Sequence, residues 1–410
     1  MKRSIVAAVF GAIALLPSPM ASAQDKTAPT RVVKIGVLSD LSSLYSDITG
    51  AGSVLAAKMA VEESELLKKG WTIEVVAGDH QNKADVGVNV ARQWFDVDKI
   101  DLIVDVPNSA VALAVSNLTR EKNRVFLDSG AATSDLTDAQ CSPNTIHWVF
   151  DSYMLAKGTG TGMMKAGVDT WFFLAADYAF GAALERDTSA IVKAMGGKVL
   201  GSVKHPANSS DFSSFLLQAQ ASKAKVIGLA NGGGDTINAV KQAAEFGIVQ
   251  GGQKLSPLLM FVTDVHSLGL DVSQGLTFTE SFYWDLNDGT RDFSRRFAEG
   301  MKNKAMPTMA QAGVASSIWH YLKALEALGG NPQDGAKVVA KMKDMPTDDP
   351  LFGKGAIRAD GRKIHPAYLF EVKKPAESKA PWDYYKLLSA IPAEEAFLPL
   401  SDSKCALLKK

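Results

Sequence analysis

The sequence predicts an α/β protein made of two open lobes, each a parallel sheet with helices on both faces. Three observations carry this. Short β-branched runs alternate with helical patterns, the alternation lapses midway and restarts, and 410 residues exceed what one hydrophobic core usually holds.

Ahead of the first strand stands a leader. Lys2 and Arg3 supply a positive start, residues 5–16 an apolar stretch, and Ala21-Ser22-Ala23 a small-residue cleavage site before Gln24. The apolar run is too short for a hydrocarbon layer of roughly 30 Å, so a cleaved signal peptide is expected over residues 1–23, and no later segment reads as a membrane span. The mature chain is expected to be exported and soluble.

In the first lobe, VVKIGVL (32–38) precedes a helix from about residue 52, TIEVVA (72–77) one at 84–95, and DLIVDV (101–106) one at 110–120, with RVFLD (124–128) following. This order implies parallel strands with crossover helices. After a less regular stretch at 141–151, strands at 170–175, 198–204, 225–230 and 257–262 alternate with helices at 182–195, 211–222 and 235–246. LTFTESFYW (276–284) leads to helices at 290–302, 309–328 and 335–343, and the end, YLFEVK (368–373) and YYKLLSAI (384–391), reads as extended chain. The division expected is residues 30–150 plus 283–363 for lobe one, 151–282 plus 364–395 for lobe two, and a tail at 396–410.

Composition narrows the class. The chain carries 44 basic and 44 acidic side chains, and loss of the leader leaves a net charge of about −2, without the basic stripe that nucleic acid requires. Its two cysteines, Cys141 and Cys405, lack zinc-knuckle or redox-pair spacing. In an oxidising compartment they read as a structural disulfide stapling the tail to lobe one, with two separately buried thiols as the alternative.

Open α/β sheets bind ligands beyond the carboxyl ends of their strands, which directs attention to six turns. SDLSSLYSD offers Ser42, Ser43 and Tyr45; PNSA opens a helix at Asn108-Ser109; SGAATSD does so with Ala131, Ala132 and Thr133. Each is also an ordinary N-cap pattern, yet together they can form one anion-holding rim. On lobe two, ADYAFG offers Tyr178 and Phe180, NGGGD offers Asn231 and Asp235, and VTDV offers Asp264; packing and capping are the competing roles. In FYWD at 282–285 a strand can bury only alternate rings on one face, which makes Tyr283 a candidate for the groove.

Apparent catalytic motifs fail on context. GTGTG (158–162) follows a helical rather than a strand pattern, DSG at Asp128 has no second copy to pair its carboxylate, and GxSxG, Walker and HExxH patterns are missing. The six histidines show no ligand spacing, and His147 and His365 read as structural. No enzyme activity, metal or cofactor is expected.

Taken in order, IGVLSDLSSLY, FLDSGAATSDLT, DYAFGAALERD, NGGGDTINAVKQAAEFGI and FGKGAIRADGRKIHP resemble the branched-chain amino-acid (Leu/Ile/Val-binding) type of ABC-transporter substrate-binding protein over essentially the whole mature chain. The resemblance implies a type I periplasmic binding protein fold, two Rossmann-like lobes joined by a three-strand hinge, and a periplasmic monomer that presents its solute to an inner-membrane permease. It implies that Asn108-Ser109 and Ala131 to Thr133 hold a ligand carboxylate. A family tyrosine aligns with Phe180, a second with the glycine run near Gly232, and the acid that pairs with an ammonium aligns with Asp264. These departures point to the aromatic-acid branch, with hydroxycinnamates or benzoates as ligands. A neutral or branched-chain amino acid is the alternative, and a sensory module without a permease the alternative of another class.

Overall fold

The computed structural model describes residue 1 and residues 32–408; the expected leader lies outside the described residues. Lobe one is built on β1 (Val32–Ser39), β2 (Thr72–Asp79), β3 (Leu102–Asp105), β4 (Val125–Asp128) and β5 (Thr145–His147), all parallel in the order β2-β1-β3-β4-β5. β3 and β4 are buried along their whole length, as helices on both faces require of central strands. β5 emerges from the stretch that read as irregular. Three residues are too few for a periodic signal, and pairing with β4 defines them.

Lobe two repeats the plan with β6 (Thr170–Ala176), β7 (Lys198–His205), β8 (Val226–Ala230) and β9 (Lys254–Pro257), parallel in the order β7-β6-β8-β9. The strand expected at 257–262 is displaced toward the N-terminus. The Leu258 N–H still reaches the Leu229 carbonyl at 3.1 Å, but the ladder goes no further, and the apolar residues 259–261 are buried outside the sheet before a helix begins at Val262–Leu268. Burial alone had mimicked a strand.

The chain then re-enters lobe one. β10 (Thr277–Glu280) is followed by the helices Asp288–Gly300, Met309–Ala327 and Gly335–Asp344 and by the small antiparallel sheet β11 (Thr347–Asp349), β12 (Gly353–Ile357) and β13 (Lys363–Ile364). It returns through β14 (Ala367–Val372) and β15 (Tyr385–Ile391), which form an antiparallel sheet in the order β10-β14-β15. The backbone thus passes between the lobes after β5, after β10 and between β13 and β14.

The first and last passages are tied together. The Val149 carbonyl accepts from Arg362 Nη2 at 2.8 Å and from His365 Nε2 at 2.7 Å, and Arg362 Nη1 lies 3.3 Å from Asp151. All of these groups are buried, where an unpaired charge would cost several kcal/mol, on the order of 3–5. His147 and His365 are structural in this geometry, bonded to the carbonyls of Ala131 and Val149.

Cys141 and Cys405 form a disulfide with a Cα–Cα separation of 5.5 Å. Asp138 accepts from the Lys404 N–H nearby, so the tail is fixed to the loop below β4. GTGTG lies in a helical segment, where a side chain at Gly158 would run into Thr279 and one at Gly162 into Leu369. Close packing accounts for these glycines. No helix among the described residues is long and apolar enough to cross a membrane.

Candidate functional site

The first loop of lobe one is organised by a buried carboxylate. Asp40 accepts from the N–H groups of Ser43 at 2.8 Å and Tyr45 at 2.7 Å, from the Ser43 hydroxyl at 2.8 Å and from Asn82. Ser42 Oγ donates to Asp79 at 2.6 Å. The hydroxyls of Ser42 and Ser43 therefore hold the loop together, and the side chain the loop presents is Tyr45.

The next turn is strained. Asp105 and Val106 have φ of +85° and +62°, a region unfavourable for any side chain and most of all for a β-branched one. This turn leads directly into the Ser109–Glu121 helix. Asn108 caps it, accepting from Ala110 N–H at 3.0 Å and Val111 N–H at 3.2 Å, so two of its free donors are already used. Ser109 Oγ accepts from the Thr133 N–H at 3.2 Å, which brings the second and third lobe-one turns together.

The Ala131 to Thr133 turn is held from beneath. Asp128 accepts from the Ala131 N–H at 3.0 Å and lies 3.0 Å from His147 Nε2. Burial, the largest influence on each, pushes the Asp128 carboxyl well up and the His147 imidazole well down, which favours a neutral pair. The hydroxyls of Ser109 and Thr133 keep their protons on this rim, and the Ala132 N–H beside them has no acceptor among the described residues.

Lobe two meets lobe one at Tyr178, whose hydroxyl is hydrogen-bonded to that of Tyr45. Phe180 lies 5.9 Å from Tyr178 between ring centroids. A Cβ on Gly232 would come within 3.6 Å of Phe180 and 3.7 Å of Tyr45, so these three rings and the glycine run form one group. Burial raises the pKa of both tyrosines, and both stay protonated donors.

The remaining candidates are engaged elsewhere. Asn231 donates to His205 Nε2 at 3.1 Å and accepts from the Thr236 hydroxyl at 2.7 Å. Asp235 accepts from the N–H groups of Asn208 and Ser209 at 3.0 and 2.8 Å. Asp264 turns back onto the Phe261 N–H at 2.9 Å, and burial pushes its carboxyl up to about 7. Tyr283 donates to the Trp382 carbonyl at 2.8 Å, accepts from the Tyr384 N–H at 3.0 Å and stacks on Tyr385 at 4.4 Å. Its ring braces β15 from inside the core.

Two features lay beyond sequence reading. Beside the Asp264 turn a cavity of about 530 Å³ opens at the lobe junction, between Asp47 and Gln311 on one side and His266 and Trp382 on the other. A cluster also spans the lobes: Arg186 reaches Ser134 Oγ at 2.7 Å and Asp135 at 3.1 Å, while Asp187 accepts from Ser134 Oγ at 2.8 Å and Ser152 Oγ at 2.6 Å. Nothing in the spacing of these residues announces their meeting. Among the described residues no group of three or more His, Cys, Asp or Glu could hold a metal ion.

Comparison with known proteins places the fold. The family model described as "Periplasmic binding protein" matches residues 32–379. The chain is similar to a periplasmic binding protein of Burkholderia mallei at 51% identity, covering 92% of this chain and 100% of that one with a TM-score of 0.88. It is similar to a branched chain amino acid ABC transporter periplasmic ligand-binding protein of Burkholderia xenovorans at 40% identity, with 92% and 100% covered and a TM-score of 0.81. A fold likeness at 22% identity and a TM-score of 0.80, covering 88% and 97%, links it to a Rhodopseudomonas palustris ABC transporter solute binding protein in complex with 4-hydroxybenzoate.

Proposed function

This chain belongs to the periplasmic binding protein family, the ligand-binding receptors of ABC transporters, and from that premise we propose that its solute is a small aromatic carboxylate of the hydroxycinnamate or benzoate type. The observation that supports the reading is the group formed by Tyr45, Tyr178 and Phe180, set against an Asp264 whose Oδ2 accepts from the Phe261 N–H of its own turn. An amino-acid ligand brings an ammonium that needs a charged partner. A ring carboxylate needs only an anion rim and an apolar face.

In this reading the hydroxyls of Ser109 and Thr133 hold the carboxylate, and the lobe-two rings cover the ligand. The lobes are residues 30–150 with 283–363 and 151–282 with 364–395, a division supported by the three passages between the sheets. The leader is removed on export. Function then follows from differential binding: the ligand bridges both faces, favours the closed form, and a permease recognises that form. Micromolar affinity requires about −8 kcal/mol. Charge-assisted hydrogen bonds at roughly 1.5–3 kcal/mol each together with one buried ring suffice.

A thermal-shift screen tests the ligand class. 4-Hydroxybenzoate and 4-hydroxycinnamate should raise the melting temperature more than leucine, isoleucine or valine. A shift with the aliphatic amino acids alone would favour the second reading, a branched-chain amino-acid receptor, which the description of the Burkholderia xenovorans protein supports. Genes for a permease and an ATPase beside this one would favour transport over a sensory role.

A further inference from the structure

We propose that Gly233 is a closure-determining residue: its missing side chain lets the lobe-one loop Leu44-Tyr45 seat directly on lobe two, and the Tyr45 to Tyr178 hydrogen bond fixes that seat. The inference rests on the two-lobed receptor reading, and is independent of which ligand is bound.

The geometry is tight at one point. Gly233 has φ of +58°, and a Cβ there would lie 2.7 Å from the Leu44 carbonyl oxygen and 3.1 Å from Tyr45 Cδ1. The nearest obstacle is backbone, which cannot swing away as a side-chain tip can. Gly234 follows at the first position of the Gly234–Glu245 helix, where a Cβ would stand 3.2 Å from Leu44 Cδ1. Gly232 is looser, with Leu259 Cδ2 at 3.3 Å and both rings beyond 3.5 Å. The run is therefore tightest at its middle residue, Gly233, which faces the backbone of the opposite lobe.

The partner surface is equally specific. Asp40 draws the N–H groups of Ser43 and Tyr45 together at 2.8 and 2.7 Å, which fixes the turn and projects the Tyr45 ring onto the glycines. Tyr178, the residue that starts the Ala179–Ala194 helix, meets the tip of that ring with its own hydroxyl. Tyr45 and Gly233 are thus matched surfaces on two lobes, and a side chain at residue 233 would hold them apart. Where the resemblance expects a lobe-two aromatic near Gly232, the aromatic ring here comes from lobe one.

The seat can be read without any ligand, by photo-oxidative dityrosine coupling of the full mature chain with a ruthenium sensitiser and persulfate. Two phenoxyl radicals join ring to ring with loss of two hydrogens, so only tyrosines in contact are captured. The wild type should give a linked peptide pair containing Tyr45 and Tyr178, and Tyr45→Phe sets the background. Gly233→Ala and Gly234→Val should fall toward that background while retaining the wild-type circular dichroism. Gly252→Ala should keep the wild-type yield, because Gly252 has a comparable φ of +96° with open space where its Cβ would stand. If Gly233→Ala does not fold, Gly234→Val decides alone, since it lacks the backbone strain. Wild-type coupling in the two glycine variants, or no Tyr45–Tyr178 pair in the folded wild type, would overturn the proposal. Failure of every aromatic acid in the thermal-shift screen would leave it standing.

Discussion

Asp105 combines a left-handed backbone with a buried carboxyl, and its chemistry can be read from stability. It accepts from Ser39 Oγ at 2.7 Å, and burial, opposed by that bond and aggravated by Asp40, pushes its pKa from 3.8 up to about 7. A raised carboxyl contributes stability that is complete below the unfolded pKa and is lost as pH rises through the folded one. Relative to Asp105→Asn, the wild type should therefore gain stability as pH falls from about 7 toward about 4. Urea melts at several pH values check this. The difference taken against the variant cancels His80, whose pKa of about 4 acts in the opposite sense, and a difference constant with pH would show Asp105 ionised throughout.

Ser109 makes a second prediction at this scale. Its hydroxyl accepts from the Thr133 N–H, and in the proposed reading its own proton goes to the ligand carboxylate. Ser109→Ala should weaken binding of the acid found by thermal shift by roughly 1 kcal/mol or more, measured by calorimetry. Unchanged affinity would put the anion elsewhere. That Ser109 and Thr133 sit in turns at strand ends was legible, because a hydroxyl residue opening a helix leaves a local pattern. The contacts made by Ser42, Asn231 and Tyr283 were not, because their partners lie at long range: Asp79, His205 and the Trp382 carbonyl are folding contacts without a local signal.

In the proposed reading the Ala179–Ala194 helix couples ligand and closure. Its start carries Tyr178 and Phe180 to the cleft, and about two turns later Arg186 and Asp187 grip Ser134, Asp135 and Ser152. An exposed ion pair is worth little, about 0–1 kcal/mol. Asp187, however, is only 11% exposed and accepts two hydroxyls. Asp187→Asn should therefore raise the ligand dissociation rate and weaken affinity by about fivefold, the equivalent of roughly 1 kcal/mol. Lys225→Ala, which breaks the exposed pair with Asp169, should do neither. Stopped-flow fluorescence distinguishes the two, and equal rates would remove the cluster from the closure equilibrium.

At the scale of the molecule, the disulfide closes a loop that contains the whole lobe-two sheet and every strand from β5 onward but leaves β1 to β4 outside, since Cys141 and Cys405 are separated by 264 residues. It fixes the tail to lobe one outside the passages between the lobes. Cys141→Ser with Cys405→Ser should lower unfolding stability by about 2–5 kcal/mol and leave ligand affinity unchanged. Denaturant melts and calorimetry on the double variant check both. A fall in affinity would tie the tail to the motion of the lobes.

The sequence by itself determined what depends on local period and local chemistry. It gave the alternation that makes two parallel sheets, the turns at strand ends that can face a ligand, the family, and the two cysteines available to pair. A period of about 2.0 or 3.6 residues is written into neighbouring positions, and capping needs partners only a few residues away. Tertiary structure alone decided the rest: that Pro257 ends its strand, that β5 exists, that Asp264 turns inward, that Tyr283 braces the core, and that Tyr45 lies on Gly233. Each depends on atoms brought together from distant parts of the chain, and the energy of such a contact belongs to the packed arrangement rather than to any stretch of sequence.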